Sequence, residues 1–196
     1  MLENPFKIDR KIILASGSPR RQSLLKSLGI PFIIKVKDIE EDYPPDIGIN
    51  NVAPFLAEKK AKAYDKEVND GYLVITADTV VRFNETIINK PIDHKDGFRI
   101  LKKLSGNMHT VTTGVCIRFD NDIHVFSVDT DVHFKELQDS EIEYYLNNYK
   151  PYDKAGAYGV QEWIGLMAIY KMVGSYHNVM GLPTSELYSY LKKFEV

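Results

Sequence analysis

Residues 13–21 read ILASGSPRR: the apolar run Ile13-Leu14-Ala15, the turn-forming Ser16-Gly17-Ser18-Pro19, then Arg20 and Arg21. An apolar run that enters a Ser/Gly turn and leaves through proline into a leucine-patterned stretch is the pattern of a strand, a tight turn and a helix N-terminus. Ser18 is the expected N-cap, Pro19 the first helical residue and Gly29 the stop, with Leu24, Leu25 and Leu28 on one face. Two cations in a first turn oppose the helix dipole. Free backbone N–H groups and a turn glycine at the same place suit a bound anion, so the arginine pair makes sense if a phosphate docks there. A capped helix with two solvated arginines accounts for the same residues, and this stretch alone leaves both open.

Outward from this unit, Phe32 to Val36 reads as a second strand. It is followed by DIEEDYPPDIG over 38–48, where three acids within four residues precede a double proline. Neither helix nor sheet tolerates that composition. An acidic loop near a basic helix start can hold a divalent cation, because Mg2+ takes one or two carboxylates plus substrate phosphates. Glu40 and Asp42 are each read as solvated loop residues. Asn50 to Lys66 is expected to be helical, with Phe55, Leu56, Ala57, Ala61 and Ala63 as its stripe and Lys59, Lys60 and Lys62 beside it. Tyr72 to Ala77 is a run of strand formers that meets Asp78-Thr79 before Val80 resumes. A carboxylate there is costly unless it is paired, bound to metal or at the exposed C-terminal edge of the sheet, where open α/β sheets bind ligands. Asp78 is therefore the leading catalytic candidate, against a turn aspartate satisfied by backbone N–H groups.

The second half reads as a hairpin through Asn84-Glu85, a helix from Asp93 to Leu104 and a long hairpin from Val111 to Phe134. A tyrosine-rich acidic helix follows over 139–149, then a strand from Met167 to Val173, a loop over 174–182 and a final helix from Pro183 to Phe194. Between them PYDKAGAYGVQ, residues 151–161, is a poor helix and a poor strand, as binding loops often are. Its last residue, Gln161, offers a donor and an acceptor that match the imide edge of uracil or thymine. The histidines show no metal-ligand spacing.

The 196 residues suffice for one core or two joined lobes, and a formal net charge of −2 argues against a general nucleic-acid binder. No apolar run approaches the ~20 residues of a membrane span, so a cytoplasmic protein with no membrane partner is expected. The single cysteine, Cys116, lies in an apolar run and reads as a small buried filler.

The blocks ILASGSPRR, LLKSLGI, LAEKKAKA, TADTVV, NKP, LSGNMHTVTTGV, YDKAGAYGVQ and GSYHNVMGLP, in this order from about residue 11 to 192, resemble the Maf family of nucleotide pyrophosphatases. The resemblance implies a single domain over 1–196, an α/β fold related to the inosine-triphosphate pyrophosphatases. That fold has an elongated central mixed sheet flanked by helices, two lobes with a cleft, and often a homodimer. It implies cleavage of a nucleoside triphosphate at the α–β bond with a divalent metal, Mg2+, Mn2+ or Co2+.

Carried over by position, the proton acceptor falls on Asp78 and the metal ligands on Glu41 and Asp78. Ser16, Arg20 and Arg21 fall in the phosphate-binding block, and Lys60 and Lys90 among the cleft cations. Base selectivity falls on Arg20, Thr79 and Gln161. The block Asp153-Lys154-Ala155-Gly156 ending in Gln161 is similar to the dTTP/UTP pyrophosphatase branch, whereas branches lacking that glutamine favour methylated guanine or modified pyrimidine nucleotides; dTTP and UTP are the expected substrates, with modified pyrimidine triphosphates as an extension. The chain departs from the pattern at Gly97, at Val160 and at EWIGLM after Gln161, where such chains have Gly-rich sequence; the last bears on the lip of the base pocket. The other function class implied is a nucleotide-binding regulator of septum formation with little turnover. The presence of Asp78, the cations and the acidic loop together favours the enzyme.

Overall fold

The computed structural model describes Ile8 and residues 10–195. In chain order it runs β1 (Lys11–Leu14), α1 (Pro19–Ser27), β2 (Ile33–Ile34), α2 (Val52–Lys62), α3 (Asp65–Asn69), β3 (Tyr72–Phe83) and β4 (Thr86–Ile88). Then come α4 (His94–Leu104), β5 (Met108–Phe119), β6 (Asp122–Phe134), α5 (Asp139–Tyr149), α6 (Trp163–Ala168), β7 (Ile169–Val173), α7 (Tyr176–Met180) and α8 (Thr184–Leu191). The strands make one mixed sheet in the order β2-β1-β3-β5-β6-β7, with β4 added to β3. β1 runs parallel to both β2 and β3, whereas β3–β4 and β6–β7 are antiparallel. This is the mixed α/β architecture expected from the sequence.

The described residues divide into two compact units, one falling within 1–78, 113–128 and 181–196 and one of residues 79–112 and 129–180. In the first unit, α2 lies on the sheet through small residues. Ala57, Ala61 and Cys116 are all buried together, and a Cβ on Gly114 would stand 2.3 Å from the Ala53 carbonyl carbon. The Thr76 hydroxyl donates to the Ala57 carbonyl at 2.6 Å, pinning the same helix to β3. Burial, then the Glu58 charge, push the Cys116 thiol up to about 12. Beyond α2, Glu67 is 4% exposed and receives Lys35 at 2.6 Å and Lys37 at 2.9 Å. Burial raises its pKa, but the two ammonium groups outweigh burial and hold it at about 2.

The second unit is built on Phe134, Ile142, Tyr145, Leu146, Leu101, Leu104 and Ile164, all buried. His109 is 1% exposed there. Its Nε2 pairs with the Tyr158 hydroxyl at 2.8 Å, its ring meets Phe134 edge-on, and its Nδ1 has no hydrogen-bond partner. Burial, then the neighbouring His133, lower its pKa to about 3.

Several boundaries differ from the sequence expectation, each for a local reason. The strand from Tyr72 does not stop at Ala77 but continues through Asp78 to Phe83, because the charge on Asp78 is met from the side by Lys60. The expected helix to Lys66 ends at Lys62, where Ala63 and Tyr64 N–H groups close tighter turns onto Lys60 and Ala61 and Tyr64 turns into the core. The stretch after Gln161 forms α6, so the strand expected from Met167 begins at Ile169, and α7 occupies what reads as loop. No helix among the described residues is long and apolar enough to cross a membrane.

Candidate active site

In the first unit the segment after β1 turns as its sequence dictates. The Ser18 hydroxyl accepts the Arg21 N–H at 3.5 Å, and Pro19 opens α1. Ser16 is 7% exposed, and its hydroxyl accepts the Ser18 N–H and an Arg21 Nη1 proton, each at 3.3 Å. Arg21 Nε donates to the Gly181 carbonyl at 2.7 Å, so this arginine is anchored at both ends of its guanidinium rather than freely solvated. Burial pushes the Arg21 pKa below the ordinary arginine range. Asp78 and Glu41 act against that shift and Arg20 adds to it, so all four lie in one electrostatic neighbourhood.

The centre of that neighbourhood is Lys60 on α2. Its Nζ donates to Asp78 Oδ1 at 2.5 Å and to Glu41 Oε1 at 2.7 Å. Asp78 is the buried member, with its side chain 10% exposed, whereas Glu41 reaches in from the loop with 47% exposed. Asp78 sits where a carboxylate can be reached although it is mid-strand. The parallel neighbour β1 ends at Leu14 opposite Ile75, so Asp78 projects three residues beyond it. The expected exposed edge of the sheet is therefore the end of β1, not of β3. Lys59 pairs with Asp42 and Lys62 with Glu58, both on the surface, in keeping with the solvated-loop reading of Asp42.

Among the described residues no group of three or more His, Cys, Asp or Glu gathers as metal ligands. What is present is two carboxylates already holding one cation between them. That oxygen-only donor set suits a hard divalent ion whose remaining ligands come from water and phosphate.

The remaining candidates belong to the second unit. Thr79 is half-buried in β3, and Lys90 is exposed just after β4. The carbonyl of Asn89, next to Lys90, accepts the Gly156 N–H at 3.3 Å, tying it to the loop that carries Gln161. Gln161 is exposed, while residues 156–160 before it are all buried. Lys154, read in the sequence as part of a binding loop, is 8% exposed and pairs with Asp153 at 2.7 Å and Glu162 at 3.2 Å. Asn178 of the GSYHNVMGLP block is fully buried and donates to the Val111 carbonyl at 3.0 Å and the Thr130 hydroxyl at 2.9 Å, a structural role. Sequence reasoning missed the partners of Glu162, and only its departure from the family's Gly-rich pattern marked the position.

A family profile described as Maf-like protein matches residues 11–194. The dTTP/UTP pyrophosphatase of Flavobacterium johnsoniae is 48% identical over 181 residues, 92% of this chain and 93% of its own. That of Porphyromonas gingivalis is 49% identical over 197 residues, 99% of this chain and 98% of its own. Among solved structures, the Staphylococcus aureus Ham1 protein aligns over 64% of this chain and 72% of its own, at 14% identity and a TM-score of 0.41.

Proposed function

The chain belongs to the Maf-like protein family, and from that premise we propose that it is a divalent-metal-dependent pyrophosphatase of dTTP and UTP, extending to modified pyrimidine triphosphates. The observation that supports this most directly is the buried Asp78 carboxylate, held with Glu41 on the single ammonium of Lys60 and within the field of Arg21. In this reading water attacks the α phosphorus, its oxygen bonds to phosphorus as the α–β bridging bond breaks, and pyrophosphate leaves. Asp78 orients the water and takes its proton. Lys60, Arg20, Arg21 and Lys90 offset the roughly four negative charges of the triphosphate, and Ser16 donates to a phosphate oxygen. A divalent ion, held by Glu41 and Asp78, would supply further charge neutralisation at the phosphates. Gln161 reads the pyrimidine edge, with Thr79 and Arg20 contributing to selectivity. The reading takes the chain as one functional domain, acting as a homodimer in the cytoplasm.

The test supplies purified protein with dTTP, UTP, CTP, dATP, GTP and a methylated guanine triphosphate in turn, with Mg2+, Mn2+ or Co2+ and again with a chelator. Pyrophosphate from dTTP and UTP, lost on chelation and restored by the metal, is the expected result. Preferential turnover of CTP or a purine would overturn the base preference, and orthophosphate as the sole phosphorus product would overturn α–β cleavage. Nucleotide binding with no product at all would favour a regulator instead.

A further inference from the structure

Between residues 154 and 165 the only exposed side chain is that of Gln161. Both of its neighbours are fixed. On one side Val160 is 6% exposed, and α6 lies so close to it that a Cβ on Gly165 would stand 2.0 Å from the Val160 carbonyl oxygen. On the other side Glu162 stands at the N-terminus of α6 without capping it. Its carboxylate turns back instead, accepting a short hydrogen bond from the Tyr145 hydroxyl at one oxygen and facing Lys154 Nζ at 3.2 Å with the other. Tyr145 is wholly buried on α5, and its hydroxyl also accepts the Gly159 N–H at 3.0 Å, so one phenol ties the chain on both sides of residues 160 and 161. A Cβ on Gly159 would meet the Glu162 carboxyl at 2.7–2.9 Å, so a larger residue here would displace that carboxylate from Tyr145 and Lys154.

We propose that Tyr145, Glu162 and Lys154 form a positioning network whose task is to present Gln161 to the base, making Tyr145 and Glu162 specificity-determining residues that never touch the substrate. This rests on the reading of Gln161 given above. A buried network of this kind is costly to assemble and is fully satisfied only in one geometry, so it fixes the loop more tightly than apolar packing alone. An amide that must match both a donor and an acceptor on a ring loses discrimination when displaced by a fraction of an ångström, while a loosely held amide still fills space. Burial, then the Glu162 hydrogen bond and charge, push the Tyr145 pKa well above the ordinary tyrosine range, so the phenol keeps its proton and remains the donor to Glu162.

The experiment measures kcat and KM for UTP and CTP, together with the melting temperature, in Tyr145→Phe, Glu162→Gln, Gln161→Ala and the double variant Tyr145→Phe/Gln161→Ala. Both network variants are expected to lower the UTP-over-CTP ratio of kcat/KM by about tenfold, mainly through a higher KM for UTP. Adding Tyr145→Phe to Gln161→Ala should lower the ratio no further. A lower melting temperature with an unchanged ratio in both network variants would make the network merely structural and overturn the inference. If Tyr145→Phe does not fold, Glu162→Gln alone decides. If Gln161→Ala leaves the ratio unchanged, the base reading itself is wrong and this inference falls with it. If Gln161→Ala alone changes the ratio, only the positioning role is lost.

Discussion

Lys60 faces two carboxylates with one ammonium, which leaves the cluster of Lys60, Asp78 and Glu41 one negative charge in excess. Asp78 is the buried carboxylate of the cluster, the one less screened by water. Asp78→Asn removes the proposed proton acceptor while conserving shape. It is expected to lower kcat by about 10²–10⁴-fold while leaving KM within about threefold, as steady-state kinetics on dTTP would show. An unchanged kcat would remove Asp78 from the reaction. The candidate was legible in the sequence because an acid after the strand formers YLVITA, residues 72–77, has few harmless explanations. Lys60 was legible only through the family pattern, since Lys59, Lys60 and Lys62 are equivalent to any periodicity argument. Their fates diverge only in three dimensions: Lys60 is 17% exposed on two acids, and Lys62 is 61% exposed on its own helix neighbour Glu58.

Among the elements, α2 sets where Lys60 stands, and α2 is set by what its neighbours lack. Gly114 on β5 is the seat: an added methyl would meet the Ala53 carbonyl carbon and the Pro54 nitrogen at 2.3 Å, backbone atoms that cannot step aside as a side chain can. Gly114→Ala is therefore expected to lift α2 from the sheet, costing about 1–3 kcal/mol or more in denaturant unfolding. Turnover per folded molecule should fall as well, since Lys60 moves with the helix. Wild-type stability and turnover in that variant would mean that α2 is not held there. The Gln138/Glu141 capping box that opens α5 emerges only in the structure, whereas the start of α1 could be read from sequence because its cap is local, Ser18 ahead of Pro19. The break after Lys62 could not, because no glycine or proline marks it. It arises from Tyr64 packing with Ile13, Val68 and Val74, a tertiary preference that overrides a helical run of Ala and Lys. α6 was missed for the complementary reason: its few residues carry no period, and a glycine in them reads as loop although its role is to let α6 lie against Val160.

For the whole molecule, two buried groups give stability a direction in pH. His109 in the folded chain titrates at about 3, against about 6.5 when unfolded. The unfolded state therefore binds the extra proton between those values, and stability is lost as pH falls below about 6.5. Glu67 titrates at about 2 when folded, so its contribution is present above its ordinary value of 4.5 and is lost only below that. Between pH 6.5 and 4.5 His109 is thus the one of the two that acts, with a slope approaching about 1.4 kcal/mol per pH unit. Denaturant midpoints across that window should fall more steeply in the wild type than in His109→Asn, and parallel curves would mean that the buried imidazole is not neutral. The fully buried Cys116, the sole cysteine of the chain, has a further practical consequence. To a maleimide or any other thiol-directed dye the folded chain is blank. A cysteine introduced at any surface position would carry the label alone, and in the unaltered chain the slow arrival of dye would act as a clock for the openings of β5.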